Sequence, residues 1–282
     1  MNFHDVFENR YYITGNIVLK TPLHIGKGTS LEPTGTDLPV LKTPTGEPYI
    51  PGSSLKGVLR FETEKILRTL AAQNLEINGK KLWACNILED KERCIPLSDD
   101  SLRKKTFEDL EKEAKNNGVV DEEELTKKII ENSCTACRIF GSPVMASRIY
   151  IKDAFLVGNT VKTEIRDGIA VDRDTGTVKE GAKFDYEVVP AGTVFTLNIL
   201  LENVEEWEVG LISLILNMWS KEQMLIGGKN SSGLGWSKIE NVQVEKVDNS
   251  NLIEFLSSGT KYKVEFNNLI TAFTSNFKGG EK

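Results

Sequence analysis

Four cysteines carry the plainest chemistry in the sequence. Cys134 and Cys137 form a C-x-x-C pair, and Cys85 and Cys94 stand upstream in a C-x8-C arrangement. A C-x-x-C pair supplies half of a tetrahedral thiolate site, because its spacing lets both sulfurs face one ion. Together the four read as a structural zinc site, with no open position for a substrate. Independent buried thiols and a redox pair remain the alternatives, although no thioredoxin-like strand-to-helix context surrounds Cys134. Asp37, in GTDLPVLK, lies in a loop where an isolated aspartate ordinarily caps backbone amides. Of the two histidines, His4 and His24, His24 follows a strand without an evident orienting partner. It reads as a loop-packing imidazole rather than as half of a nucleophilic site.

The stretch Gly227, Gly228, Lys229, Asn230, Ser231, Ser232, Gly233, Leu234, Gly235 holds four glycines in nine positions. Such a loop brings backbone amides close to an anion, and Lys229 adds a positive charge. It lacks the G-x-x-x-x-G-K-[ST] order of a P-loop, so a nucleoside-triphosphate site is not expected. A phosphate-backbone contact competes with a plain helix-to-strand connection.

The elements that must position these residues follow from periodicity. Alternation predicts a strand over 11–19, and a Pro/Gly-punctuated loop follows over 21–53. A helix begins at Pro51-Gly52-Ser53-Ser54, where Ser53 or Ser54 is placed to cap it. Its stripe is Leu55, Val58, Leu59, Glu62, Ile66, Leu67 and Leu70. Residues from about 73 to 131 turn charge-rich and helix-favouring, an insertion held at its base by the cysteines. Further strands are predicted over 147–157, 195–201 and 239–244, with an apolar helix over 207–219 and a polar excursion over 163–185. The core order, strand-helix-strand-strand-helix-strand, predicts an α+β fold of the ferredoxin-like, RRM-like βαββαβ kind.

Bulk properties set limits. The chain has 282 residues, 39% hydrophobic and 27% charged, ordinary for a soluble globular protein. No apolar run is long enough for a membrane span, and MNFHDVFENRYY does not resemble a signal peptide. A cytoplasmic protein without a membrane partner is expected. Cysteines in that setting are poor disulfide candidates. A net charge of −6 argues against indiscriminate nucleic-acid binding but allows a local basic surface.

The segments TPLHIGKG, GTDLPVLK, GEPYIPGSSLKGVLR, CTACRIFGS, SRIYIKDAF, VDRDTGTVKEGAKFDYEVVPAGTVF and GGKNSSGLGW occur in that order. Jointly they resemble the RAMP superfamily, and within it the backbone subunits of type III CRISPR effectors, the Cas-seven group. The resemblance implies a palm over 1–72 and 138–250 with a thumb hairpin at about 163–185. It leaves a zinc-bound helical insertion over 73–137 and a C-terminal extension over 251–282. It implies guide CRISPR RNA, complementary target RNA, further copies of the chain or related subunits, and large and small effector subunits as partners. RNA contacts are then expected at His24, Ser53, Ser54, Lys56, Arg60, Arg148, Val171, Arg173, Gly227, Gly228, Lys229, Asn230, Ser231, Gly233 and Gly235. Asp37 falls on the catalytic aspartate of cleaving members, whose reaction needs Mg2+ or another divalent cation. Carboxylates are weak bases at neutral pH, so metal and water positioning suits Asp37 better than general-base action. Two rivals stand beside this endoribonuclease: a non-catalytic scaffold of the same assembly, and a guide-processing nuclease using His24. The insertion between Cys94 and Cys134 is larger than in the shortest members, and the stretch from Asn251 has no clear counterpart. Within it, YKVEF is placed either to add an edge strand or to contact a neighbouring subunit.

Overall fold

A computed structural model describes residues 5–28, 36–97, 105–116 and 118–278. His4, and the 29–35 part of the long loop with Pro33 and Gly35, lie outside the described residues. The chain is α+β, with seven α-helices and a principal antiparallel sheet among the described residues.

The first strand, β1 (Asn9–Leu19), alternates Tyr11, Ile13, Ile17 and Leu19 towards the core. The partner strand bulges opposite Gly15, at Asn241 and Val242, and a Cβ on Gly15 would lie 3.0 Å from the Glu240 carbonyl oxygen. Helix α1 (Gly52–Ala72) buries Leu55, Leu59 and Leu67 along one stripe, each contributing about 1.5–3 kcal/mol by leaving water. The segment after α1 then runs through β2 (Glu76–Ile77), β3 (Lys80–Lys81), α2 (Phe107–Glu113), β4 (Lys115–Asn116), β5 (Val119–Val120), α3 (Glu122–Asn132) and α4 (Thr135–Phe140). Its outer part has its own small core of Ile95, Leu110, Ala114, Leu125 and Ile129. The cysteines and α4 instead join the main core.

Strand β6 (Ile149–Ile151) is shorter than its alternating sequence predicts. The chain leaves the ladder at Asp153, whose carboxylate accepts the Gly52 amide at 2.7 Å; Ala154 then bridges Ile50, and only the single Leu156–Phe195 bridge continues the ladder. The polar excursion is an antiparallel ribbon of β7 (Glu164–Val171) and β8 (Val178–Val188). After it come β9 (Val194–Glu202), α5 (Glu206–Ser220), β10 (Met224–Leu225) and β11 (Trp236–Asp248). The sheet runs β10-β11-β1-β9-β6 with every pairing antiparallel.

The C-terminal stretch adds α6 (Leu252–Ser258), β12 (Tyr262–Val264), α7 (Phe266–Thr274) and β13 (Phe277–Lys278). The YKVEF segment takes the edge-strand option, since β12 pairs with β11. Helix α7 packs so tightly on α5 that a Cβ on Gly210 would meet the Leu269 carbonyl oxygen at 2.3 Å. No helix among the described residues is long and apolar enough to cross a membrane.

Candidate functional site

The start of α1 and the glycine-rich loop face each other across a cleft of about 360 Å³. Ser54, Leu55, Gly57 and Val58 form one wall; Ile226, Gly227 and Gly228 form the other, with Ile25, Gly26 and Ile50 between them. Its floor is aliphatic and its rim is glycine backbone and a serine hydroxyl, a surface that a sugar-phosphate chain can approach closely. The helix start differs from expectation. Pro51 occupies the N-cap position without a side-chain cap, Ser53 and Ser54 lie inside the helix, and Asp153 takes the Gly52 amide. Gly52 permits this, because a Cβ there would sit 2.2 Å from the Ile151 carbonyl oxygen.

The glycine-rich loop also differs. It closes a β-hairpin between β10 and β11 rather than joining a helix to a strand. Gly227, Lys229, Gly233 and Gly235 all take positive φ, between 58° and 88°. The Gly228 amide donates to the His24 carbonyl at 2.8 Å and the Gly235 amide to the Pro22 carbonyl at 2.9 Å. The loop is thereby fastened to the segment after β1. Gly227, Gly228, Ser231 and Gly233 are exposed, Lys229 and Asn230 half-buried, and Gly235 buried.

His24 is buried at the junction of this loop with the β7–β8 ribbon. Its Nδ1 lies 2.8 Å from the Glu187 carbonyl oxygen, which only accepts, so Nδ1 carries the proton and Nε2 turns towards Gly26. The ring meets Tyr186 edge-on, with centroids 6.1 Å apart. Lys229 Nζ lies 4.6 Å from the ring centroids of both Phe184 and Tyr186. The loop lysine is therefore engaged by cation–π attraction with the foot of the ribbon.

Asp37 stands exposed at that same foot. The Asp37 amide donates to Asp185 Oδ1 at 2.7 Å, and the Asp185 amide donates to Asp37 Oδ2 at 3.0 Å. Leu38 and Tyr186 form a parallel bridge, and the Glu187 amide donates to the Leu38 carbonyl at 3.0 Å. The Val40 amide donates to Glu187 Oε2 at 3.0 Å, and Lys42 and the Thr163 hydroxyl also bond that carboxylate. Burial alone would push Glu187 up, but these three donors hold it below the ordinary carboxylate range. Val171 and Arg173 are exposed at the other end of the ribbon. Asp185 pairs with Asp167, which puts Val171 roughly 13 Å further along at strand rise.

The four cysteines are buried and their sulfurs lie within 4.8 Å of one another. Cys85 Sγ is 3.6 Å from Cys137 Sγ and 3.7 Å from Cys134 Sγ. These separations are too long for disulfides. They match the edge of about 3.8 Å of a tetrahedron with metal–sulfur bonds of about 2.3 Å. Hydrogen bonds from Cys134 and Cys137 draw the Cys94 thiol down, whereas hydrogen bonding to Cys134 pushes Cys137 up. The set can hold a metal ion.

A model of the RAMP superfamily matches residues 16–238, which include the cleft, the Asp37 segment, the cysteines and the ribbon. The chain belongs to the RAMP superfamily. It is 24% identical to the CRISPR system Cms endoribonuclease Csm3 of Methanothermobacter thermautotrophicus, over 85% of this chain and 87% of that protein. It is 26% identical to the Csm3 of Methanocaldococcus jannaschii, over 84% and 81% respectively. The CRISPR system Cmr endoribonuclease Cmr4 of Pyrococcus furiosus is 26% identical, over 68% of this chain and 65% of its own length.

Three basic residues expected at an RNA surface turn inward in this RAMP chain. Arg148 is 1% exposed and pairs with Glu208 at 2.5 and 2.9 Å, while also donating to the carbonyls of Arg138 and Asn203. It ties the start of β6 to α5. Arg60 bonds Glu64 at 2.7 Å and the Gly141 carbonyl at 2.9 Å, and its Nη2 lies 3.4 Å from Cys137 Sγ. It is a partner of the thiol cluster. Lys56 donates to Ser147 Oγ at 2.9 Å; burial first, then the neighbouring Arg60 charge, push it down. The sequence reading missed Asp185 and Glu187. Neither belongs to a spacing motif, and only the pairing of β8 with the Asp37 segment reveals them.

Proposed function

We propose that this chain is the guide-RNA-binding backbone subunit of a type III CRISPR effector and cleaves complementary target RNA beside Asp37. One observation carries the reading: the α1 start and the glycine-rich loop share a cleft, and an exposed carboxylate stands at the foot of a projecting ribbon. The order of the four main strands, β11-β1-β9-β6, supports an RRM-like palm over 1–72 and 138–250, with 73–137 inserted and 251–282 appended. In this reading the exposed backbone at Gly227, Gly228 and Gly233 lets guide phosphates approach closely, and Ser53, Ser54 and Ser231 hold them. Pairing between guide and target reads the sequence, so base-edge contacts from the protein are unnecessary. The ribbon tip, with Val171 and Arg173, separates the strands and frees one linkage for in-line attack by its 2′-hydroxyl. Neighbouring copies and the large and small effector subunits complete the assembly.

The donors present fit a divalent cation at the cleavage site. Asp185 occupies only Oδ2 of Asp37, and one carboxylate oxygen with substrate phosphate and water is an ordinary Mg2+ set. Bound there, such a cation neutralises charge at the attacked phosphate. Asp37 would hold that cation, and a water on it, through its remaining oxygen. In Cys85, Cys94, Cys134 and Cys137, the tetrahedral spacing and full thiolate set fit structural zinc, which cross-links the insertion to the core.

A scaffold without cleavage is the second reading, because the Asp37 carboxylate does accept a backbone amide as a structural turn residue would. Incubating a guide-loaded complex with labelled complementary RNA and Mg2+ separates the two. The proposal predicts products at regular intervals, and an Asp37→Ala complex that still binds target but cleaves about 100-fold more slowly or worse. Intact target with the wild-type complex, or full cleavage by Asp37→Ala, would leave the scaffold reading in place.

A further inference from the structure

We infer that Asp185 is a positioning residue for Asp37, and the inference rests on the cleavage reading above. Strand β8 works on both of its faces at the foot of the ribbon. Phe184 and Tyr186, two apart and so on one face, receive Lys229 of the glycine-rich loop. Asp185 and Glu187, on the opposite face, receive the amides of Asp37 and Val40. The segment carrying the carboxylate and the loop lining the cleft are thus set by consecutive residues of one strand.

The two hydrogen bonds between Asp37 and Asp185 are reciprocal: each carboxylate accepts the other residue's amide. One bond fixes the Asp37 backbone and the other fixes its side chain. The aspartate is left a single oxygen to present, in a single direction. Glu187 holds the same segment three residues later, so losing Asp185 loosens the Asp37 end without detaching the whole. The accepting role of Asp185 needs an oxygen at Oδ1, which asparagine also supplies.

The test compares Asp185→Ala and Asp185→Asn in the guide-loaded complex, beside wild type and Asp37→Ala. Asp185→Ala is expected to lower the cleavage rate at saturating target roughly 10- to 100-fold, with target affinity unchanged. Amide exchange over 37–40 is expected to quicken in Asp185→Ala and stay at the wild-type rate in Asp185→Asn, which also cleaves as wild type does. Unaltered cleavage and exchange in Asp185→Ala overturn the inference. Equal impairment of both variants overturns it too, since charge rather than positioning would then be at work. A wild-type complex that does not cleave sinks the functional reading alone, and the exchange comparison still decides whether Asp185 holds the segment.

Discussion

The cysteine cluster and the Asp37 segment belong to the same architecture and are held in opposite ways. The sulfurs are buried, and α1 is stapled to them from several directions. Arg60 reaches Cys137, Arg68 reaches the Cys85 carbonyl at 2.8 Å, and Glu64 bonds both arginines. Behind them the Arg148–Glu208 pair, at 1% and 0% side-chain exposure, locks β6 to α5. Asp37 is exposed, and its segment is held by backbone and carboxylate hydrogen bonds to β8 and by backbone bonds to Ile25 and Lys27. The difference teaches that basic residues spent on the frame are not available to a ligand. Exposed loop groups held by few contacts are the ones free to meet it.

Three measurements sharpen or break that contrast. The largest effect is expected from Cys137→Ser or from a strong chelator. Either should release metal and accelerate amide exchange across the insertion and the α1 face towards it, because structural thiolate sites contribute folding free energy directly. Wild-type exchange after metal loss would show that the cluster is merely a set of buried thiols. Next, Arg148→Ala should cost about 3–5 kcal/mol in denaturant unfolding by leaving buried Glu208 only the more distant Arg138, at 3.8 Å. A cost near zero, with weakened RNA binding instead, would return Arg148 to the RNA surface. The smallest effect belongs to Lys229→Ala, which removes cation–π contacts of about 0.5–2 kcal/mol. It should weaken guide RNA retention and lower the unfolding free energy by no more than that; a larger stability loss would make Lys229 part of the frame.

Much of this contrast was legible in the sequence, and the remainder has physical reasons. The cysteine spacing pointed to one shared site, and alternation in β1, β9 and β11 marked strands that bury one face. The β7–β8 ribbon gave no such signal, because Ile165, Ile169, Val171 and Val178 remain exposed and little patterning separates its faces. Strand β10 has two residues, too few for any period to register. The direction in which Lys56, Arg60 and Arg148 turn depends on partners distant in sequence, Ser147, Cys137 and Glu208 among them. Asp185 escaped for the same reason: its partner lies 148 positions away.

Photo-crosslinking of guide RNA in the assembled complex, mapped by mass spectrometry, addresses the central claim most directly. Crosslinks concentrated in residues 50–58 and 226–235, on the two walls of the cleft, are the predicted result. Guide crosslinks confined to the α6–α7 surface, with both walls unmarked, would contradict it.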